Sequence, residues 1–357
     1  MKLLFVFYVP SGGVETLNRQ RCFALQQQGI YCELLYLQDG EGKKNNVNIP
    51  IHITNKDLEI KSILEHGQFD AVIVCSNHSF LPRLRKLGYS GRIIYEVQGL
   101  GSKVEANNWL RNAQNIITSN ADALLFPQTS HLKELCTNYF PNKPKYCFHN
   151  CFDTKNFTYV DTKKEGAPII GWVGRLEPNK NWRGFVELAN LISKRNPSIQ
   201  FWIFEDAALA SPKERSDFKL LIASYGLTNK ITIRSNVPHS QMASYYSKIG
   251  DSGGFLCSTS KVEGFGYAIV EAISCRCPVL TTDSDGVRSF IVHEQTGLFY
   301  DENQLNKAVN QAFDLMNNKV LRDRIRSAGL SYIQEHLSPL VYSTNFVKMM
   351  NDLGVQK

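Results

Sequence analysis

Two successive series of short β-rich runs, each alternating with helical stretches, constrain this chain more than any single motif does. The first series runs "LLFVFYV", "IYCELLYL", "DAVIVCS" and "RIIYEVQ", separated by helical patterns such as "VETLNRQRCFALQQQG", "DLEIKSILEHG" and "LPRLRKLG". Strands alternating with helices predict a parallel sheet covered on both faces. Gly29 is the expected stop of the first helix. After the uneven polar stretch "TYVDTKKEGAP", residues 158–168, which reads as a linker, the alternation restarts. It runs through "IIGWVGRL", "IQFWIFED", "KITIRSNV", "GGFLCST" and "CPVLTTD". At 357 residues the chain exceeds one ordinary core, so two domains of roughly 150 to 170 residues are expected. We place them at 1–160 and 161–335, with 336–357 as a terminal helix packing back towards the first domain. Its apolar positions are Leu340, Tyr342, Phe346, Met349 and Met350. Two doubly wound domains place a cleft between the carboxyl ends of their strands, where such sheets bind ligands.

Composition narrows the function classes. Apolar residues make up 43% and charged residues 20% of the chain, the balance of a soluble globular protein. The formal net charge of +7 is spread out, and its densest cluster, "PRLRKLGYSGR" over residues 82–92, is short. A solvated helix face explains that cluster; attraction to anionic lipid or an anionic acceptor is the alternative, giving a peripheral membrane contact. No basic stripe with interleaved aromatics suggests nucleic acid. The nine cysteines form neither paired CxxC motifs nor a His/Cys cluster at zinc spacing, so they read as buried thiols in a reducing cytosol. The opening "MKLLFVFYVP" reads as a core strand, not a signal peptide, and no apolar stretch is long enough to span a bilayer. The expected location is the cytoplasm, with contact to the inner face of the membrane as an option.

Three stretches carry chemistry. "PSGG" joins the first strand to the first helix, so Gly12 and Gly13 sit where free amides and a helix dipole let a phosphate or sugar approach; a tight turn explains them equally well. G-x-G-x-x-G is absent, which argues against a dinucleotide site. "VGRLEPNKNW" puts Arg175 and Lys180 in the first connection of the second domain. Two cations there suit a diphosphate, one as a planar fork and one as a point charge. "SKVEGFGYAIVEAISCRCPVL" holds Glu263 in a loop and Glu271 inside a helix, with Gly266, Tyr267 and Ala268 at the helix start. A glycosidase-like acid/base pair is one option for the two glutamates. Binding of ribose or hexose hydroxyls is another, since a carboxylate accepts two at once.

Together these stretches resemble the retaining glycosyltransferases of family four. "VEGFGYAIVEAISCRCPVLTTDSDGVRSFIVHEQTGLF" is similar to their E-x7-E segment, "GWVGRLEPNKNWRGFVEL" to their second-domain opening, "HNCFDTKNF" to their interdomain segment and "PSGGVE" to their first glycine loop, in order from Val9 to about Tyr300. The resemblance implies an α/β fold called GT-B: two Rossmann-like doubly wound domains facing a central cleft, the first binding acceptor and the second a nucleotide-sugar. It implies that Arg175 and Lys180 neutralise the diphosphate with help from the Gly266–Ala268 amides. Glu263 would hold the transferred sugar, Glu271 the ribose, and Gly13 the donor from the first domain. It further implies transfer to a glycan or lipid-linked acceptor, with no cofactor or metal, in cell-surface polysaccharide or glycoconjugate synthesis. Asn150 and Asp153 are expected to shape the hinge, and the D-x-D triplet Asp283–Asp285 to form a turn.

The chain departs from that pattern at four places. Gln98, two residues after Glu96, stands where many members have a histidine; it can hydrogen-bond a donor hydroxyl but cannot act as a base. Glu205, Asp206 and Ala207 replace a Gly-Asp-Gly, and a glutamate there either alters base or sugar preference or faces solvent. Ser289 stands in place of a glutamate, and only the second glycine of a pair survives, as Gly286. A catalytically impaired nucleotide-sugar-binding partner subunit is therefore the competing expectation.

Overall fold

The computed structural model describes residues 1–45, 48–155, 157–162, 166–207 and 209–355. The chain divides into one unit of residues 1–153 with 335–357 and a second of residues 154–334. Residues 163–165 of the polar stretch read as a linker lie outside the described residues. Its earlier part belongs to the second unit, where Tyr159 and Thr162 donate to Asp251 at 3.0 and 2.8 Å.

In the first unit the strands are β1 (Lys2–Phe7), β2 (Tyr31–Tyr36), β3 (Ile51–Ile53), β4 (Ala71–Cys75), β5 (Arg92–Glu96), β6 (Ala123–Phe126) and β7 (Lys145–Cys147), in the order β3-β2-β1-β4-β5-β6-β7. Every pairing is parallel. Central strands have helices on both faces, so they read as unbroken apolar runs; all five residues of "AVIVC" are buried. The helices are α1 (Gly12–Gln26), α2 (Asp57–Gly67), α3 (Phe80–Lys86), α4 (Lys103–Asn120) and α5 (Ser130–Tyr139). Ser102 and Glu105 form a reciprocal capping box that fixes the start of α4.

The second unit repeats the plan with β8 (Ile169–Val173), β9 (Gln200–Glu205), β10 (Ile231–Ser235), β11 (Phe255–Ser258), β12 (Val279–Thr282) and β13 (Leu298–Tyr300), all parallel, in the order β10-β9-β8-β11-β12-β13. Its helices are α6 (Trp182–Arg195), α7 (Pro212–Ser224), α8 (His239–Asp251), α9 (Tyr267–Ser274), α10 (Leu305–Asn317) and α11 (Lys319–His336). The last helix, α12 (Pro339–Asp352), packs against α1, with Phe346 buried 6.0 Å from the ring of Phe5.

The direction in which successive strands are added reverses about the first strand of each sheet, between β1 and β4 and between β8 and β11. These are the switch points where the loops at the carboxyl ends diverge and leave room for a ligand. The first unit also carries a charged core. Arg21 is fully buried, donates to Glu96 at 2.6 Å and to Asn18 at 2.5 Å, and lies over the Phe5 ring at 3.9 Å. A buried guanidinium persists only when its charge is met in this way.

One buried base gives this unit an acid sensitivity. Burial, with His336 beside it, lowers the His149 pKa to about 4 from 6.5. The unfolded chain binds the proton first, so this group's stability is present above pH 6.5 and is lost as pH falls towards 4. The whole effect is on the order of 3 kcal/mol. Urea unfolding at stepped pH should show stability falling less steeply across that window in His149→Gln than in the wild type.

Candidate functional site

The switch point of the second unit brings together most of the residues singled out there. The connection after β8 and the connection after β11 are stitched side by side. Lys261 N donates to the Asn179 carbonyl at 2.8 Å, Val262 N to the Asn179 side chain at 3.3 Å, and Asn179 Nδ2 to the Val262 carbonyl at 3.1 Å. Below them, the indole of Trp172 on β8 donates to Thr259 Oγ1 at 2.9 Å, and that hydroxyl donates to the Lys180 and Asn181 carbonyls. Asn181, at φ +49°, caps α6 by accepting from Gly184 N.

This stitching delivers Lys180 to Glu263: the ammonium lies 2.5 Å from Oε1, and both side chains keep some exposure, 22% and 14%. The sequence reading gave these two residues separate tasks; the structure makes them partners. A lysine ammonium has three donors, so one carboxylate contact leaves donors for an anion. Arg175 stands apart from the pair. It is 53% exposed and bonds Glu177 at 3.1 Å.

Glu263 is held from its other side by the loop after β12. Its N–H donates to the Ser284 carbonyl at 3.0 Å, and its carbonyl accepts from Gly286 N at 3.2 Å. A Cβ at Gly286 would lie 2.4 Å from the Glu263 carbonyl oxygen and 2.5 Å from that of Gly264, so no side chain fits there. The D-x-D triplet is a turn, as expected: Asp283 is forked by Arg288, and Asp285 takes φ +61° at the start of a single 3-10 turn.

Helix α9 starts directly after the loop that carries Glu263. Gly266 adopts φ +92°, which favours glycine, and Phe265 anchors the turn against Tyr267 and Phe290 at 4.9 and 5.4 Å. Gly266, Tyr267 and Ala268 thus stand at a helix N-terminus, where the first amides have no intrahelical acceptor and the dipole favours an anion. Glu271, one turn further on, is buried, with Oε1 2.8 Å from His239 Nε2 and Oε2 accepting from the Tyr246 hydroxyl at 3.1 Å. Neither partner was found from sequence. Their spacing of seven on α8 is the sole local signal, and a core stripe gives the same one.

Glu205 corrects one expectation. It does not face solvent: its side chain is buried at the end of β9, bound by Arg215 at 2.9 and 3.4 Å and by the Ser235 hydroxyl.

Gly12, Gly13 and Gln98 belong to the first unit. The two glycines are exposed at the start of α1, with Gly12 at φ +67°. Gln98 is buried and its amide is engaged at both ends: Nε2 donates to Glu96 at 3.1 Å and to Asn150 at 2.9 Å, while Oε1 accepts from Asn150 at 3.1 Å. The backbone N–H of Asp153 donates to Gln20 at 2.5 Å. The basic cluster is likewise tied down, Arg83 to Asp57 and both Arg85 and Arg92 to Asp122.

Known proteins resemble this arrangement. Residues 154–331 match the family described as Glycosyl transferases group 1. Sucrose synthase 2 of Zea mays is 26% identical over 332 residues, covering 85% of this chain and 40% of that protein. Sucrose synthase 6 of Arabidopsis thaliana is 24% identical over 274 residues, covering 73% of this chain and 29% of its own. The chain thus spans well under half of these relatives. Among solved structures, Anabaena HepE in complex with UDP-glucose superposes with a TM-score of 0.82 at 15% identity, covering 99% of this chain and 100% of that one. Sucrose-phosphate synthase from Thermosynechococcus elongatus does so with a TM-score of 0.80 at 16% identity, covering 99% of each.

The backbone contact at Gly286 gives a direct test. Gly286→Ala should destabilise the protein by about 1–3 kcal/mol, because neither facing carbonyl can retreat. Gly166→Ala, whose methyl would meet nothing within 4 Å, should leave thermal unfolding near the wild-type midpoint.

Proposed function

Because the second unit of this chain is a Glycosyl transferases group 1 domain in a GT-B fold, we propose the following activity. The protein moves a sugar from a nucleoside diphosphate to a glycan or lipid-linked acceptor, retaining anomeric configuration and using no metal. One observation carries this reading: the partly exposed Lys180–Glu263 pair sits at the β8/β11 switch point, immediately before the N-terminus of α9. A cation and a helix N-terminus close together suit a diphosphate.

The roles follow from where charge develops. As the glycosidic bond breaks, negative charge collects on the departing diphosphate. Lys180 and the amides at Gly266–Ala268 stabilise it without needing to reorganise at that moment, and the exposed fork of Arg175 adds a second cation. Glu263, held against Lys180, orients the hydroxyls of the transferred sugar. Glu271 accepts from the ribose. Gly12 and Gly13 give the ligand a close approach to the first unit, and Gln98 a hydrogen bond once its amide pair with Asn150 opens. Surface-polysaccharide or glycoconjugate assembly, at the inner face of the membrane, is the setting that suits such an acceptor.

A second reading, a nucleotide-sugar-binding subunit without turnover, is favoured by the engagement of Gln98 with Glu96 and Asn150. Thermal unfolding in the presence of UDP-glucose, UDP-galactose, GDP-mannose, ADP-glucose and dTDP-glucose separates the outcomes. A true donor at a hundred times its Kd should add about 2.7 kcal/mol of stability, and Lys180→Ala should weaken it about tenfold or more. If no donor stabilises the protein and none yields free nucleoside diphosphate with glycan or lipid acceptors, the transferase reading is wrong. Stabilisation without release under every acceptor supports the binding subunit instead.

A further inference from the structure

The proposed chemistry gives the Glu271 carboxylate a role but leaves unexplained the side chains built around it. His239 and Tyr246 lie seven residues apart on α8, so both face the helix packed against it, α9. They hold one oxygen each, at 2.8 and 3.1 Å. Behind them Phe157 fills the remaining space, its ring centroid 4.9 Å from the imidazole of His239 and 6.2 Å from the ring of Tyr246. Phe157 is itself fastened to α9, where the Ser274 hydroxyl donates to its carbonyl at 2.5 Å. Tyr246 is fully buried, and both its burial and the nearby carboxylate push its phenol well above the ordinary range, which keeps it a neutral donor.

An ionised carboxylate accepts only, with about four acceptor positions on its two oxygens. Two are taken by His239 and Tyr246, one on each oxygen. The two left over are also one on each oxygen, which is the arrangement that two adjacent hydroxyls of a five-membered ring can fill together. We propose that His239 and Tyr246 are positioning residues that fix the rotation of the Glu271 carboxylate, so that it distinguishes ribonucleotides from 2′-deoxyribonucleotides. The proposal rests on the glycosyl-transfer reading and on the ribose role of Glu271 within it. His239 and Tyr246 act through Glu271. A purely structural bond to a buried carboxylate would affect folding and would treat both sugars alike.

The readout is therefore a ratio. Isothermal titration of the full chain with UDP, ADP and GDP, each beside its 2′-deoxy counterpart, gives the preference for the diol. In the wild type the best-bound diphosphate should bind about tenfold or more tightly than its deoxy form, the value of a hydrogen bond to a charged group. His239→Ala and Tyr246→Phe should each remove most of that preference and leave deoxy affinity nearly unchanged. His239→Gln keeps an N–H donor and should restore much of it. Glu271→Gln, which removes the charge itself, should abolish it.

A preference that survives in both His239→Ala and Tyr246→Phe, or equal weakening of both forms, would overturn the proposal, as would a wild-type ratio near one. Failure of all three diphosphates to bind the wild type would instead overturn the transferase reading beneath it. Should His239→Ala not fold, Tyr246→Phe, which removes only a hydroxyl, decides the matter alone.

Discussion

The candidate site depends on one close approach of backbone to backbone. The loop after β12 lies against the loop after β11 with no side chain between them, because a Cβ at Gly286 would sit 2.4 Å from the carbonyl oxygen of Glu263. Two hydrogen bonds close that contact, and three more through Asn179 hold the same loop from the β8 side. Glu263 is thereby clamped between its neighbours, and α9 begins at a defined point four residues later. The sheet order makes this feasible: β8, β11 and β12 are consecutive neighbours, so the loops leaving their carboxyl ends are adjacent too.

The two units handle charge differently. In the first, Arg21 and Glu96 are sealed from solvent and extend through Gln98 to Asn150, so the network specifies a packed polar core. A buried pair of this kind is costly to break, since either partner alone would be an uncompensated charge. In the second, Lys180 and Glu263 keep part of their surface in water and spare hydrogen-bonding capacity. The proposed chemistry on an incoming diphosphate needs that spare capacity. The Glu205–Arg215 pair at the end of β9 lies between the two cases, its carboxylate sealed and its guanidinium 29% exposed, and Arg215 also bonds the Ala207 carbonyl in the loop that follows.

The architecture was legible because it is written in local patterns. Parallel strands buried on both faces leave continuous apolar runs, and the helices between them leave a period of 3.6, so the central strands of both sheets and the terminal helix could be read directly; the short strands β3, β6, β7 and β13, of three or four residues, could not. The reason for glycine at Gly266 and Gly286 came only with the structure: a positive φ at the first and a close backbone approach at the second. The partnerships were not legible either. His239 and Tyr246 lie 32 and 25 residues from Glu271, and Lys180 lies 83 from Glu263; contacts closed over such distances leave no local period. Of the two alternatives for Glu205, the solvent-facing one fails for the same reason: its burial is set by Arg215 and Ser235 on other elements, whereas a glutamate taken alone reads as exposed.

We propose that this constellation transfers a sugar by stabilising a departing diphosphate on the face where the acceptor attacks. The most direct measurement is proton NMR of the anomeric centre of product formed from an α-linked nucleotide-sugar, in the presence of a chelator. The account predicts an α-linked product, released together with nucleoside diphosphate at a rate the chelator does not change. A β-linked product, or transfer abolished by the chelator and restored by a divalent ion, would contradict it.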